Sequence, residues 1–365
     1  MSSRKRAVEE ETAECKKTRV SPKRKRPHGL MNQGATCYLN SVLQVLFMTP
    51  EILDRLDPKS KVTDRELTNL FEKLEEATCG TENITKSLEI ENVYQQRDAA
   101  ECLEMILLQV SPRVSEVFRG KLTYMTKCSK GHVINEETNS FWTLPLPLRD
   151  AGDAAYSVER SFKKIFQTKS YSGDNMVYCN ECKKKTVATS GCELVDFPHI
   201  LTLLLKRFDF DYDTMSHVKS NCCVDVPHTL QTKDKKYKLY GMVNHMGGLK
   251  GGHYTAYVQS TEDNTWYYCD DTRVQEAEEE ELFTETRTHN SSMAYLLMYR
   301  VKASSESLRK KAKDRQDEQT GNRRKGGEKD VLWKNPVFIV FIVFIVLACA
   351  LIVIIPVVLT SLNKY

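Results

Sequence analysis

The sequence predicts an α+β domain over residues 28–301, followed by a single membrane-spanning helix near the C-terminus. Three observations predict it. In "GLMNQGATCYLNSVLQVLFMTP" the apolar residues Leu39, Val42, Leu43, Leu46 and Phe47 recur at helical spacing, and Pro50 marks the end of that helix. In "HYTAYVQSTEDNTWYYCDD" two strand-like runs flank a polar turn, which is a hairpin pattern. Residues 337–359, "VFIVFIVFIVLACALIVIIPVVL", run without a charge for ~34 Å of helix at ~1.5 Å per residue, long enough to span a bilayer.

The flanking segments come first in the argument because they carry the charge. Residues 1–27 hold an excess of +6, residues 302–330 an excess of +4, and Lys334 and Lys364 add two more. The overall charge is +4, so residues 28–301 are left at −8. An acidic domain disfavours a nucleic-acid-binding core and suits a partner with a basic surface. Residues 1–27 are nearly devoid of apolar residues and are expected to be a disordered basic tail. Residues 302–335 read as a charged juxtamembrane linker and residues 336–360 as a tail anchor. Arg323, Arg324 and Lys325 precede the span and place the folded domain on the cytosolic side. Twelve cysteines with no apolar N-terminal signal segment predict reduced thiols.

Within the domain, Cys37 opens the first helix. Unpaired N–H groups and the helix dipole at that end stabilise a thiolate, although a small buried cysteine is an equally ordinary reading of this stretch alone. The hairpin supplies the other groups. Opposed residues of an antiparallel pair share a constant index sum, and His253 with Asp270 centres the turn between Thr261 and Glu262, so the two side chains are expected to face one another. A carboxylate that holds one imidazole nitrogen leaves the other free to serve a thiol. Cys37, His253 and Asp270 thus form a Cys, His, Asp set in papain-like chain order. His253 would deprotonate Cys37, the thiolate would attack a carbonyl, and His253 would protonate the departing amine before water cleaves the thioester. The Cys37 N–H and the side-chain amide of Asn32 or Gln33 are candidate donors to the oxyanion.

These motifs resemble those of the ubiquitin-specific proteases, which are cysteine deubiquitinases. "GLMNQGATCYLNSVLQ" resembles the family's Cys box, "GGHYTAYV" its His box and "WYYCDD" its third catalytic segment. "YQQRDAAECL" resembles the glutamine, aspartate and glutamate motif with Arg97 as an extra residue, and "FWTLPLPL" and "LTLLLKRFDFD" resemble core segments. The resemblance implies a papain-like fold with thumb, palm and β-rich fingers gripping ubiquitin. It also implies that Cys37 is the nucleophile, His253 the base, Asp270 its orienting acid and Asn32 the oxyanion residue, with Asp271 a second acid that can support the site. The implied activity is hydrolysis of the bond after ubiquitin's C-terminal glycine, at a cytosolic membrane face, with ubiquitin and ubiquitinated proteins as partners. An inactive ubiquitin-binding scaffold and a protease for a ubiquitin-like modifier are the alternatives.

Family members often bind zinc in the fingers through two CxxC pairs. Here "CNEC" supplies Cys179 and Cys182, while the first pair is reduced to "KCSKGH" with Cys128 and His132. That irregular spacing favours a relic held by packing over a bound zinc, so no cofactor is expected. The length and hydrophobicity of the anchor, with little charge beyond it, favour the endoplasmic reticulum over the mitochondrial outer membrane.

Overall fold

Helix α1 (Cys37–Phe47) runs through the centre of the fold, in a computed structural model that describes residues 26–148, 156–211, 215–248 and 251–302. All eleven of its residues are buried, so the one-sided helix expected from its apolar spacing is enclosed all round. The donors of its buried Asn40, Ser41 and Gln44 are each matched. The Asn40 amide donates to Asp271 Oδ1 at 2.8 Å, the Gln44 amide to the His28 carbonyl at 2.7 Å and the Ser41 hydroxyl to the Tyr38 carbonyl at 3.0 Å. The helix stops at Phe47, and Pro50 begins the short turn Pro50–Leu53, where its missing N–H costs nothing. Helices α2 (Val62–Leu74) and α3 (Ala99–Gln109) complete this layer. Helix α3 begins where Asp98 Oδ1 accepts hydrogen bonds from the Ala100 and Glu101 N–H groups at 2.7 and 3.1 Å.

The strands divide into two main sheets. Strands β1 (Gly120–Cys128), β2 (Val133–Phe141) and β4 (Ala188–Asp196), with Lys169–Tyr171 at one edge, form a four-stranded antiparallel sheet. Strands β3 (Thr143–Pro147), β5 (Ile200–Lys206), β6 (Lys236–Gly248), β7 (Gly251–Gln259), β8 (Trp266–Asp270), β9 (Arg273–Ala277) and β10 (Ala294–Val301) form the large sheet. Its order is β9-β8-β7-β6-β10-β5-β3, and Thr229–Gln231 is added alongside β6. Within this sheet, among the described residues, only the β3–β5 pair is parallel.

Both faces of the large sheet are covered. Tyr240, Val243, Tyr254, Ala256 and Met298 pack against the helices, whereas Leu203, Tyr237, Leu239, Leu297 and Tyr299 join Val158, Phe162 and Phe283 on the other side. Burial on two faces explains why "AYLLMYRV" is a continuous apolar run rather than an alternating one. A bulge opposite Val243 and Asn244 makes Tyr295 the extra residue of β10, so that Tyr295 and Leu296 both turn toward the helices. The expected α+β architecture is thus present, with a helical layer, a central sheet and a separate, thinner β region. The basic tail up to residue 25, the linker from residue 303 and the apolar segment 337–359 lie outside the described residues. Among the described residues no helix is long and apolar enough to cross a membrane.

Candidate active site

The expected hairpin forms, but its register differs from the one assumed. Ala256 pairs with Cys269 and Gln259 with Trp266, an index sum of 525 rather than 523, so the loop centres between Glu262 and Asp263. Asp270 therefore lies opposite Thr255 and diagonal to His253. A shift of two keeps both side chains on one face, and diagonal neighbours remain within reach of long side chains. His253 Nε2 meets Asp270 Oδ1 at 2.6 Å, each side chain about one-third exposed (36% and 32%). The other ring nitrogen, Nδ1, is left for a different partner.

The adjacent acid has a separate task. Asp271 occupies the left-handed region (φ +48°) in the two-residue turn between β8 and β9, a conformation that Asp tolerates. Its Oδ2 accepts from the Asn32 amide at 2.9 Å and its Oδ1 from Asn40 on α1. Asn32 Oδ1 in turn accepts from the N–H groups of Gly34 and Thr36 at 2.9 and 3.0 Å, shaping the turn that delivers Cys37. The chain reaches this turn by passing so close to the β8–β9 turn that a Cβ on Gly29 would lie 2.3 Å from the Thr272 carbonyl oxygen.

Gln33, an alternative oxyanion donor in the sequence, points elsewhere, with its amide donating to Thr81 and accepting from Thr85. The N–H groups of Gly34, Ala35 and Thr36 are also taken. The Cys37 N–H, at the first helical position, has no partner among the described residues, and the Asn32 amide keeps one free hydrogen after its bond to Asp271.

Cys37 itself is only 2% exposed, so the thiol at the helix start is buried. Burial pushes its thiol above the ordinary value and the Asp271 carboxylate adds to the shift, against the pull of N–H donors from Tyr254, Gln96 and Tyr38. The helix N-terminus therefore does not by itself produce a resting thiolate. No hydrogen bond joins Cys37 to His253; the sulphur instead receives the Gln96 amide at 3.5 Å. Of the glycines before the base, Gly252 meets a close approach, since a Cβ there would lie 2.3 Å from both His245 Nε2 and the Met246 carbonyl oxygen, whereas Gly251 has open space around it.

Beside the start of β7 lies a cavity of about 800 Å³, with Arg97, Asp98, Glu101, Glu104, His245 and Tyr254 in its wall. His245 is 2% exposed and its Nδ1 has no hydrogen-bond partner. Burial lowers its pKa to about 4, helped by Lys219, Arg207 and His253, so the ring is neutral at physiological pH. Asp98 is fully committed, its Oδ2 accepting the Tyr295 hydroxyl while Oδ1 caps α3. Sequence reading placed Gln96 only within the "YQQRDAAECL" motif, without a role, and did not single out His245. Their identities are unremarkable, and only the fold brings them to β7.

A second cluster forms at the end of the four-stranded sheet. Cys128, His132, Cys179 and Cys182 bring their donor atoms within 4.8 Å of one another. Cys128 Sγ and Cys182 Sγ are 4.0 Å apart, and His132 Nδ1 lies 3.4 Å from Cys182 Sγ and 3.7 Å from Cys179 Sγ. Metal–ligand lengths of about 2.3 Å to sulphur and about 2.0 Å to nitrogen give tetrahedron edges of roughly 3.8 and 3.5 Å. The donor set fits such a site.

A buried cysteine at a helix start, with a carboxylate-held histidine on the strand packed against that helix, defines a thiol-hydrolase architecture. Residues 28–299 match the family described as ubiquitin carboxyl-terminal hydrolase, and the chain belongs to that family. It is 27% identical over 381 residues to ubiquitin carboxyl-terminal hydrolase 47 of Drosophila melanogaster, covering 74% of this chain and 24% of that protein. The human protein of the same name is also 27% identical, with 75% and 27% covered. Ubiquitin C-terminal hydrolase 13 of Arabidopsis thaliana is 30% identical over 283 residues, 67% of this chain and 25% of that one. The chain thus spans about a quarter of the length of these relatives. The fold resembles that of the SAGA DUB module (Ubp8, Sgf11, Sus1 and Sgf73) bound to monoubiquitin. That match has a TM-score of 0.63 at 23% identity and covers 80% of this chain and 73% of that one.

Proposed function

We propose that this chain is a thiol-dependent deubiquitinase in which Cys37 attacks the carbonyl of ubiquitin's C-terminal glycine. The observation that carries the reading is the 2.6 Å bond between His253 and Asp270 on the strands flanking α1, inside a domain of this family. The Cys37 thiol rests protonated, so a base is required, and His253 Nδ1 takes the proton as the substrate carbonyl arrives. Asp270 holds Nε2 and stabilises the imidazolium that results. Negative charge on the carbonyl oxygen is met by the Cys37 N–H and the remaining Asn32 N–H, with Asp271 fixing Asn32 in place. His253 then protonates the leaving amine, and water hydrolyses the thioester. Glu101 and Glu104 in the wall of the cavity, within a domain of net charge −8, suit the basic tail of ubiquitin. Arg97 intrudes on that acidic lining and marks where this chain's preference differs from a purely acidic channel.

The test is a ubiquitin probe with a C-terminal electrophile. A covalent adduct on wild type that is absent from Cys37→Ala is expected. A folded wild type that forms no adduct would identify a ubiquitin-binding scaffold, and labelling only by a probe built on a ubiquitin-like modifier would change the substrate.

The Cys128, His132, Cys179 and Cys182 cluster holds a structural zinc in this reading, clamping the ribbon Val177–Cys179 and Lys184–Thr186 to the end of β1; catalysis needs no cofactor. The apolar segment 337–359 anchors the domain to a cytosolic membrane face, with the endoplasmic reticulum as the favoured membrane, on the strength of its sequence. Release of the protein from membrane pellets by a carbonate wash would sink the anchor.

A further inference from the structure

Gln96 lies in the loop before α3, two residues ahead of the Asp98 cap. Its side-chain amide exchanges two hydrogen bonds with one main-chain residue: the Gly252 N–H donates to Oε1 at 2.7 Å, and Nε2 donates to the Gly252 carbonyl at 2.8 Å. A reciprocal pair of this kind is what a hydrogen-bonded residue on an adjacent antiparallel strand supplies. Strand β8 would be that neighbour, but its pairing with β7 ends at Ala256 and Cys269. Gln96 therefore replaces a missing strand residue at the position immediately before His253.

The amide has a second use. A primary amide nitrogen carries two hydrogens, and besides the Gly252 carbonyl Nε2 reaches Cys37 Sγ at 3.5 Å. Across β7 from Gln96, the His245 ring sits where any side chain on residue 252 would collide with it. The main chain before His253 is thus pinned from both sides, by a buried neutral imidazole and by an amide that also touches the sulphur. No direct bond links Cys37 to the His253 side chain; beside the Tyr254 N–H, Gln96 is a second link between the strand of the base and the nucleophile, and a side-chain one.

We propose that Gln96 is a positioning residue: it sets where His253 stands relative to Cys37 and, by donating to Sγ, favours the thiolate over the thiol. The proposal rests on Cys37 and His253 being nucleophile and base. A hydrogen bond to sulphur strengthens as negative charge develops there, and this donor opposes the burial and the Asp271 charge that hold the thiol protonated. The titratable groups acting on or beside Cys37 are Tyr38 on its own helix, Tyr254 on β7 and Asp271 in the β8–β9 turn.

Gln96→Met and Gln96→Glu in the full chain separate this role from a structural one. Gln96→Met fills the same volume without donor or acceptor. Gln96→Glu keeps an acceptor for the Gly252 N–H, loses both donors and sets a carboxylate against the sulphur. Two readouts apply: kcat and KM on a fluorogenic C-terminal amide of ubiquitin, and the pH midpoint of Cys37 alkylation by iodoacetamide, followed peptide by peptide. In Gln96→Met, kcat falls by about 10²-fold, the cost of a displaced reacting pair, while KM stays within threefold. The alkylation midpoint rises by about one pH unit in Gln96→Met and further in Gln96→Glu, because a donor is lost in both and a like charge is added in the second. A kcat within threefold of wild type in Gln96→Met, or an unchanged alkylation midpoint in both variants while thermal unfolding shows them folded, overturns the proposal. If wild type hydrolyses no ubiquitin substrate, the enzyme reading fails, and the alkylation midpoints still decide the part played by Gln96.

Discussion

The cleft around Cys37 and the four-stranded sheet of β1, β2 and β4 hold their polar side chains by opposite means. At the cleft the partners are remote in sequence: Asn32 and Asp271 are separated by 239 positions, Asn40 and Asp271 by 231, and Gln96 and Gly252 by 156. These bonds cross between the helical layer and the large sheet, whose two faces are both packed, so the core fixes their geometry. The four-stranded sheet has little core. Leu122 and Cys192 are buried, but β2 is exposed along almost its whole length, and polar side chains of the sheet pair with neighbours on adjacent strands, Thr123 of β1 with Thr138 of β2 and Thr126 of β1 with Ser190 of β4. A sheet with so little apolar cover depends on a staple, and the Cys128, His132, Cys179 and Cys182 cluster is placed to be one. Precision comes from long-range packing in the first region and from side-chain ligation in the second.

The largest effects belong to the cleft, and the two adjacent acids divide it. Asp270→Ala leaves His253 unoriented and is expected to lower kcat by roughly 10²–10⁴-fold with little change in stability, because both side chains are partly exposed. Asp271→Asn acts differently. Asp271 raises the Cys37 pKa, so removing its charge moves Cys37 alkylation to lower pH, the opposite direction from the Gln96 variants. Hydrolysis is still expected to fall, by roughly 10²-fold, because Asn32 and Asn40 lose a shared acceptor and Asn32, the proposed oxyanion donor, is released. Steady-state kinetics beside alkylation profiles read both; a matching alkylation shift in the two variants would erase the distinction between the acids.

How much of this was legible in the sequence follows the same divide. Helix α1, the hairpin and the face shared by His253 and Asp270 were readable, because apolar period and strand parity are local properties. The register was not, since a polar loop from Ser260 to Thr265 can lengthen by two without changing which face a residue occupies. Burial of all of α1 was hidden because the partners of Asn40 and Gln44 come from residues 28–30 and 271. The upward shift of the Cys37 thiol escaped for a similar reason: desolvation depends on what packs over the helix end, which local sequence does not show. The cluster in the β region looked irregular in spacing, yet Cys128 and His132 flank a tight turn at Gly131 (φ +86°) that brings them together. Gln96 was visible only as part of the "YQQRDAAECL" motif; its contacts were not, because an amide bridging to main chain has no periodicity.

Intermediate effects are expected from the β region and show whether the staple is separable from the cleft. On the proposed zinc reading, chelation removes the ion and Cys182→Ser removes one of its four candidate ligands. Hydrogen exchange is expected to speed up in β1, β2 and the ribbon Val177–Thr186 while α1 and β7 keep their protection. If this sheet grips ubiquitin, as the family resemblance implies, KM for ubiquitin then rises about tenfold with kcat nearly unchanged, because the reacting groups stay fixed. A fall in kcat with unchanged KM would mean that the two regions are mechanically one.

The smallest effect probes the seam where the loop carrying Gln96 enters α3. Asp98 caps that helix with one oxygen and takes the Tyr295 hydroxyl with the other, a residue turned toward it by the bulge in β10. Asp98→Ala loses a cap of about 1 kcal/mol and leaves a buried hydroxyl unpartnered, for a total of about 2–4 kcal/mol by urea unfolding. Tyr295→Phe costs only about 1 kcal/mol. The double variant is expected to be less destabilised than the sum of the two, because the orphaned hydroxyl is then gone. Gln96 sits two residues away and loses only the stiffness of its loop, so kcat in Asp98→Ala falls by less than tenfold at temperatures well below unfolding. A larger fall would show that the pinning of Gly252 depends on the helix cap as much as on the amide, and the precision of the cleft would then reach one layer further into the core.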